Sequence, residues 1–268
     1  MQHSAAPSRQ MLHDRRMPVV LLENGAAEGV RILTLNDPDK RNALSPRLQA
    51  ELAGAVDAVA ADPDARVLVV AGNGPAFSAG ADLPAVFGKL SRPVGEIRAG
   101  LRTIYDSFLR VRRLEIPTIA AVGGPAVGAG VNLAMSCDLR LASTRATFGV
   151  TFTKLGLHPG GGCTYYVVQA LGRQQALSLL LDGGALTAGE ALAAGIVLDV
   201  VDDPLAEALE VAQRWAALDP ELVRDIKRAV GIAAKGDFDE SLEFEAWAQA
   251  ASAKKPQLAE AIARFAKR

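Results

Sequence analysis

The sequence predicts an α/β fold, on three observations. Short apolar runs alternate with amphipathic stretches from Val19 to Val201. Two of those runs, Val67 to Ala71 and Thr118 to Val122, lead straight into turns made of small residues. A mostly helical pattern takes over before the C-terminus. Strands that alternate with helices require crossover connections, the signature of α/β architecture.

Taken in order, Val19-Val20-Leu21-Leu22 and Val30 to Leu35 read as strands joined through Gly25 and Gly29, and Asn36-Asp37-Pro38-Asp39 as a turn. Ser45 is a capping residue and Pro46 suits the first helical position. Leu48, Leu52, Ala55, Val56 and Val59 then recur at helical spacing to about Ala61. A strand is expected at Arg66–Ala71, a helix at Leu101–Arg113, a strand at Thr118–Val122, a helix from Gly128 to Cys137 and a strand at Asp138–Ala142. From Gly161 onward the chain reads as mostly helical. Thr187-Ala188-Gly189-Glu190 has capping-box form, and Val197–Val201 is the last expected strand. Pro204 to Arg268 reads as three or four helices, broken near Asp219-Pro220, Gly236 and Lys255-Pro256. The expected organisation is a disordered polar tail over residues 1–16, a core over 17–203 and a helical subdomain over 204–268.

Composition excludes several classes. Half of the 268 residues are apolar, 22% are charged and the net charge is -1. That fits a soluble globular protein and argues against a nucleic-acid partner, which calls for a basic excess. Two cysteines, Cys137 and Cys163, are too few for a secreted disulfide framework, so a cytoplasmic location is expected. Of the histidines only His158 lies in the expected body, so no metal site is expected. Ile116 to Cys137 carries no charge and is long enough to cross a bilayer, but Pro117, Gly123-Gly124, Pro125 and Asn132 interrupt it. A strand, a turn and a buried helix fit it better than a membrane span.

The chemistry lies in the two small-residue turns, Phe77 to Leu83 and Gly123 to Leu133. Small residues let backbone approach a ligand closely, and a turn opening a helix leaves N–H groups free. Two such turns side by side form an oxyanion hole, two donors aimed at one developing negative oxygen. The alternative is a pair of tight packing turns. Ser78 lacks the G-x-S-x-G elbow of a nucleophile, and Gly128-Ala129-Gly130 lacks the third glycine of a dinucleotide fingerprint because Leu133 stands there. His158, before Pro159-Gly160-Gly161-Gly162, is a candidate acid or base, with a structural hydrogen bond as the alternative. Tyr105 and Asp106 share a helix that can cover the pocket and read as surface or packing residues.

Together with Lys40-Arg41-Asn42-Ala43-Leu44, Phe148-Gly149, Leu155 to Gly162 and Leu186 to Val197, these turns give a chain that resembles the crotonase (enoyl-CoA hydratase/isomerase) superfamily from about Val20 to the C-terminus. The resemblance implies a spiral of ββα units followed by helices that mediate trimerisation. It implies an acyl-CoA substrate, with coenzyme A as part of the substrate and no tightly bound cofactor. The hole would be the N–H groups of Ala81 and Ala129. Lys40, Arg41, Ala43, Ala79, Asp82, Leu83, Gly128 and Gly160 fall at cofactor-side positions, Gly160 with its N–H near the catalytic water. Phe265 and Arg268 match positions that reach a neighbouring subunit's cofactor in a homotrimer or a dimer of trimers.

The departures from the family pattern are specific. Pro84 stands where a phosphate-contacting Lys is common. Asn132 and Phe152 stand where hydratases carry their two Glu residues, and neither side chain accepts a proton at neutral pH. Two functions stay open: an enzyme of the hydratase/isomerase type using another proton-transfer group, or a non-catalytic acyl-CoA binding or delivery protein.

Overall fold

A computed structural model describes residues 17–89 and 91–265. Nine strands form two mixed sheets: β1 (Val20–Asn24), β2 (Val30–Leu35), β3 (Val67–Gly72), β4 (Thr118–Val122), β5 (Ala126–Val127), β6 (Leu139–Ala142), β7 (Thr147–Gly149), β8 (Ala185–Thr187) and β9 (Asp199–Val200), among the described residues. The larger sheet has the order β1-β2-β3-β4-β6-β9; the smaller has β5-β7-β8. β1 runs antiparallel to β2, and every other pair in the large sheet is parallel. In the small sheet β5 and β7 are parallel and β8 returns antiparallel.

Ten helices surround the sheets, among the described residues: α1 (Pro46–Ala61), α2 (Leu83–Phe87), α3 (Val94–Leu109), α4 (Ala129–Ser136), α5 (Cys163–Asp182), α6 (Ala188–Ala193), α7 (Pro204–Ala216), α8 (Pro220–Ala233), α9 (Phe238–Ser252) and α10 (Pro256–Phe265). α5 is broken at Gly172, whose φ of 71° and ψ of 172° leave the helical region. Ser45, Thr187, Asp203, Asp219 and Asp237 cap the helices that follow them, as their short oxygen-bearing side chains predict.

The near-continuous apolar runs of β3 and β4 reflect a sheet covered on both faces. Alternation along each strand divides them. Leu68, Val70, Ala120 and Val122 join the main core with Leu48, Leu52 and Val56 of α1 and Phe108 of α3. Val67, Val69, Ile119 and Ala121 face the other way, onto Ala208, Val211 and Ala212 of α7. The helical region that opens at Pro204 is therefore joined to the sheet by its first helix. Lys227 of α8 adds a tether, with Nζ 2.7 Å from Asp138 Oδ2 and 2.8 Å from the Ile116 carbonyl.

Several elements differ from the sequence expectation. α3 begins at Val94 and ends at Leu109, and Val111–Arg113 form a separate 3-10 turn. The first turns of α3 are largely exposed, so no apolar rhythm marks them. β5, β7 and β8 are too short for alternation to show, and β8 interrupts a stretch that reads as helical. The last strand shrinks to Asp199–Val200. The uncharged segment 116–137 is a strand, a short strand and a buried helix, as its prolines and glycines predict. No helix among the described residues is long and apolar enough to cross a membrane.

Candidate functional site

Three loops meet where β2, β3 and β4 end. Asn42 ties the first to the second. Its Oδ1 accepts from Asp37 N at 2.9 Å, and its Nδ2 reaches the carbonyls of Ala76 (2.9 Å) and Phe77 (3.2 Å). This fully buried amide explains why Arg41 and Asn42 hold positive φ values of 51° and 55°. A left-handed residue without glycine's freedom needs surrounding contacts that over-determine it. Backbone bonds complete the link: Ala79 N to Arg41 O at 2.8 Å and Leu44 N to Gly80 O at 2.7 Å.

The second loop is pinned to the third in the same manner. Phe77 N donates to Pro125 O at 3.0 Å, and Val127 N to Ser78 O at 2.9 Å. The approach is so close that a Cβ on Gly80 would stand 2.4 Å from Val127 O and 3.3 Å from Ala129 N. A Cβ on Gly130 would stand 2.4 Å from Ser78 O. Gly80 also has φ of 87°. Glycine is required here by both space and conformation.

Two amides emerge from this junction. Ala81 follows Gly80. Ala129 follows Gly128, whose φ of 53° and ψ of -113° turn the chain into α4. Ala129 is the first residue of α4 and is not among the positive-φ residues, so its N–H is one of the donors a helix start leaves unused. Neither amide donates to a carbonyl among the described residues. Two unused N–H groups thus sit on loops in van der Waals contact.

Asn132 lies one turn along α4 from Ala129 and is 1% exposed. Its Nδ2 donates to the Gly160 carbonyl at 2.8 Å; its Oδ1 is buried without a hydrogen-bond partner among the described residues. Tyr105 of α3 packs on the same glycine loop. A Cβ on Gly160 would fall on the Tyr105 phenol oxygen, and one on Gly161 would touch Asn132 Nδ2, Phe108 and the Tyr105 ring. Burial pushes the Tyr105 phenol above its ordinary value, and the Gly161 N–H facing it opposes that shift. Phe152 approaches from the other side, its Cζ 3.7 Å from where a Cβ on Gly128 would be. Its ring rests on an apolar cluster of Val150, Cys163, Val167, Ala176 and Leu180.

The remaining sequence candidates fall as follows. Lys40, Arg41 and Ala79 are exposed, with Ala43 half-buried beside them. Asp82 uses its Oδ1 to cap α2, accepting from Ala85 N at 3.1 Å, and Leu83 and Pro84 open that helix at the surface. His158 is exposed, with Nδ1 2.7 Å from the Pro159 carbonyl oxygen and no side-chain hydrogen bond to Asn132 or Phe152 among the described residues. Asp106 pairs with Arg110 and Arg113, each at 2.7 Å, so it is engaged on the surface. Cys137 and Cys163 are buried thiols, both pushed up to about 12 by burial. No cluster suited to a metal ion occurs among the described residues. The Phe265 side chain, Arg268 and the tail 1–16 lie outside the described residues. The pairing of Tyr105 with Gly160-Gly161 escaped the sequence reading, because nothing in local spacing links residues that meet only through the packing of α3 on α4.

The profile of the enoyl-CoA hydratase/isomerase family matches residues 25–268. The chain belongs to that family. The Mycobacterium tuberculosis (strain H37Rv) protein named probable enoyl-CoA hydratase EchA14 is 42% identical over 240 residues, covering 87% of this chain and 93% of the relative. The 1,2-epoxyphenylacetyl-CoA isomerase of Escherichia coli K12 is 34% identical over 221 residues, covering 81% of this chain and 84% of that protein. Among solved structures, the enoyl-CoA hydratase from Bacillus anthracis superposes with a TM-score of 0.84 at 29% identity, covering 93% of this chain and 96% of that one. The two mixed sheets with C-terminal helices are therefore the α/β crotonase fold.

Proposed function

We propose that this crotonase-family protein binds an acyl-CoA thioester and holds the thioester oxygen between the N–H groups of Ala81 and Ala129. The observation that carries the reading is the pair of unused amides on touching loops. Preorganised backbone donors in a partly buried site stabilise an enolate-like oxygen without reorganising, the largest single contribution in reactions of this kind. Coenzyme A enters as part of the substrate, its adenine end against Lys40, Arg41 and Ala43 on one side and Ala79, Asp82 and Leu83 on the other. Pro84 supplies no phosphate contact. Phe265 and Arg268 are assigned to a neighbouring subunit's cofactor on resemblance alone.

The proton-transfer chemistry is the departure. Asn132 and Phe152 occupy the positions of the two hydratase glutamates, and His158 faces solvent. The reading is an isomerase, lyase or slow hydratase in which the hole does most of the work. A non-catalytic acyl-CoA binding or delivery protein is the second reading. It is favoured by Phe152, whose ring belongs to an apolar cluster where a carboxylate would be costly. Calorimetry with butyryl-CoA and free butyrate tests the shared part of both: tight binding of the thioester and weak binding of the acid is expected, and no heat from either removes the proposal. Turnover of crotonyl-CoA then separates enzyme from binder.

Assembly as a homotrimer or dimer of trimers is part of the reading. Leu222, Ile226 and Val230 recur every four residues on α8 at 37%, 52% and 64% exposure, and Trp247 of α9 is 73% exposed. Such an apolar face is characteristic of a subunit contact. Light scattering that returns a monomer at micromolar concentration would remove it. The cytoplasm is the proposed compartment.

A further inference from the structure

The outer face of α2 and α3 carries positive charge that no carboxylate answers. Between Leu83 and Tyr105 stand four cations, Lys89, Arg92, Arg98 and Arg102, against one acid, Glu96, in a chain whose net charge is -1. None of the four enters an ion pair among the described residues. Arg92 lies on the turn between the two helices, its Nη2 2.5 Å from the Val86 carbonyl oxygen and its Nε 3.2 Å from that of Lys89. Those bonds fix the guanidinium without neutralising it. The carboxylates of the neighbouring elements are engaged elsewhere: Glu51 on Arg47, Asp57 on Arg110, Asp106 on Arg110 and Arg113, and Asp82 on the start of α2. Apolar side chains protrude among these charges. Val94, Arg98 and Arg102 follow one another at four-residue intervals, so they share one exposed stripe of α3. Val94 is 83% exposed, and Leu83 at the start of α2 is 38% exposed. The side of α3 that meets the core is a different stripe, Ile104 and Phe108 with Leu101 packed beside them.

We infer that this face docks on an anionic lipid surface, with Lys89, Arg92, Arg98 and Arg102 on the headgroup phosphates and Val94 among the first acyl carbons. Cations mixed with bare apolar side chains on the outer side of a helix are the composition of a helix that lies on a membrane. Two features favour lipid over an acidic protein. The cations are spread along two helices and the turn between them, as suits a continuous anionic surface. The apolar tip at Val94, flanked by Pro93 and Gly95, suits a partner with a hydrocarbon layer beneath its charge. The inference goes beyond the acyl-CoA reading and does not need it. The two are compatible, because α2 opens two residues after Ala81 and α3 carries Tyr105 onto the Gly160-Gly161 loop. A protein docked on this face holds that loop junction beside the phase in which long-chain thioesters collect.

The test is co-sedimentation of the full chain with vesicles of phosphatidylcholine alone and of phosphatidylcholine mixed with phosphatidylglycerol. Binding is expected to the mixed vesicles only, and it should fall as salt is raised. Arg98→Gln with Arg102→Gln should weaken it by at least ~10-fold, on the worth of a cation at an anionic surface. Arg145→Gln with Arg214→Gln removes the same charge from exposed sites on the turn after β6 and on α7, and should leave binding within about twofold. Val94→Trp adds a reporter whose emission should shift to the blue on mixed vesicles. No binding of the unmodified protein to mixed vesicles overturns the inference, and this comparison needs no variant to fold. Equal loss in the two double variants overturns it as well, since net charge and not this face would be the cause. An emission that stays unshifted while the protein binds overturns the insertion of Val94. Binding to polyglutamate without binding to vesicles reassigns the face to an acidic protein and overturns lipid docking. A changed oligomeric state in the folded Arg98→Gln, Arg102→Gln variant, read by light scattering, assigns the face to a contact between copies and overturns it too. None of these outcomes bears on the acyl-CoA reading, which calorimetry with butyryl-CoA decides.

Discussion

Asn132 donates from Nδ2 to the Gly160 carbonyl across 2.8 Å, fastening α4 to the glycine loop that precedes α5. An ionised carboxylate, which only accepts, cannot make this bond. A carboxylate in the same place would face the carbonyl oxygen with like partial charge. Asn132 is thus built into the scaffold one turn along α4 from Ala129, and the loop it holds also carries Gly161, against which Tyr105 packs. The Asn132 side chain acts as a clamp between α4 and that loop.

The clamp predicts a stability cost that a surface Asn would not show. Asn132→Leu keeps the volume and removes one of the two hydrogen bonds that the half-buried Gly160 carbonyl accepts, leaving the one from Cys163 N at 3.2 Å. The expected loss is about 0.5–1.5 kcal/mol, the net worth of one hydrogen bond. It is measured as a drop in the urea midpoint at constant slope. A change within ±0.5 kcal/mol, as for an ordinary surface site, would mean that the bond is not formed in solution.

Gly80→Ala tests the junction between the two amide-bearing loops. The new Cβ would stand 2.4 Å from Val127 O, at a φ of 87° that alanine resists. The expected cost is at least ~1–3 kcal/mol in stability. Binding of butyryl-CoA should weaken by more than the unfolded fraction explains, since Ala129 N lies 3.3 Å from the same point. Gly54→Ala, on α1 with nothing near its Cβ, is the control and should be neutral or stabilising.

The fold was legible where burial imposes a rhythm. The β3 and β4 runs are apolar because both faces are covered, and α1 announces itself through Ser45, Pro46 and a four-residue apolar spacing. β5 and β7 pair over only two residues each, so no pattern had room to appear. Of the site, the two turns were legible because close backbone approach selects small residues. The contact of Tyr105 with Gly160-Gly161 was not, since it arises from helices brought together by the core. The positive φ of Asn42 was not legible either: it is imposed by carbonyls from a loop distant in sequence.

Asp106 predicts a pH dependence. A hydrogen bond from Arg113 is the largest cause that holds its carboxyl below its ordinary 3.8; burial opposes it, and a weaker hydrogen bond from Arg110 with the charges of both guanidinium groups adds to the lowering. A depressed folded value means stability that is present above the unfolded value and lost as pH falls through the folded one. The gap in melting temperature between the unmodified protein and Asp106→Asn should therefore be open at neutral pH and close below about pH 3.8, the ordinary value that sets the upper edge of the window. The pair is partly exposed, so the gap should be small and shrink with added salt. A gap that stays constant from neutral pH into acid would show that Asp106 acts through something other than its charge.

Hydration of crotonyl-CoA should be slow. Adding water across the double bond needs a base for the water and an acid for the α-carbon, each worth roughly 10²–10⁴ in rate. With Asn132 and Phe152 at the assigned positions, the rate is expected at least ~10⁴-fold below that of a relative carrying both acids. Asn132→Glu with Phe152→Glu should raise it by more than either change alone, because the two groups act on one water. Each change has a structural cost: the first gives up the bond to Gly160, and the second sets a carboxylate against Val150, Val167 and Leu180. Rates are therefore compared per folded molecule, with circular dichroism and urea melts on every variant. Fast hydration by the unmodified protein would sink the prediction and move attention to His158→Ala and Asp106→Asn as tests of another proton donor. Slow hydration with no gain in a folded double variant would mean that the pocket around the hole, not the missing acids alone, has turned away from this reaction.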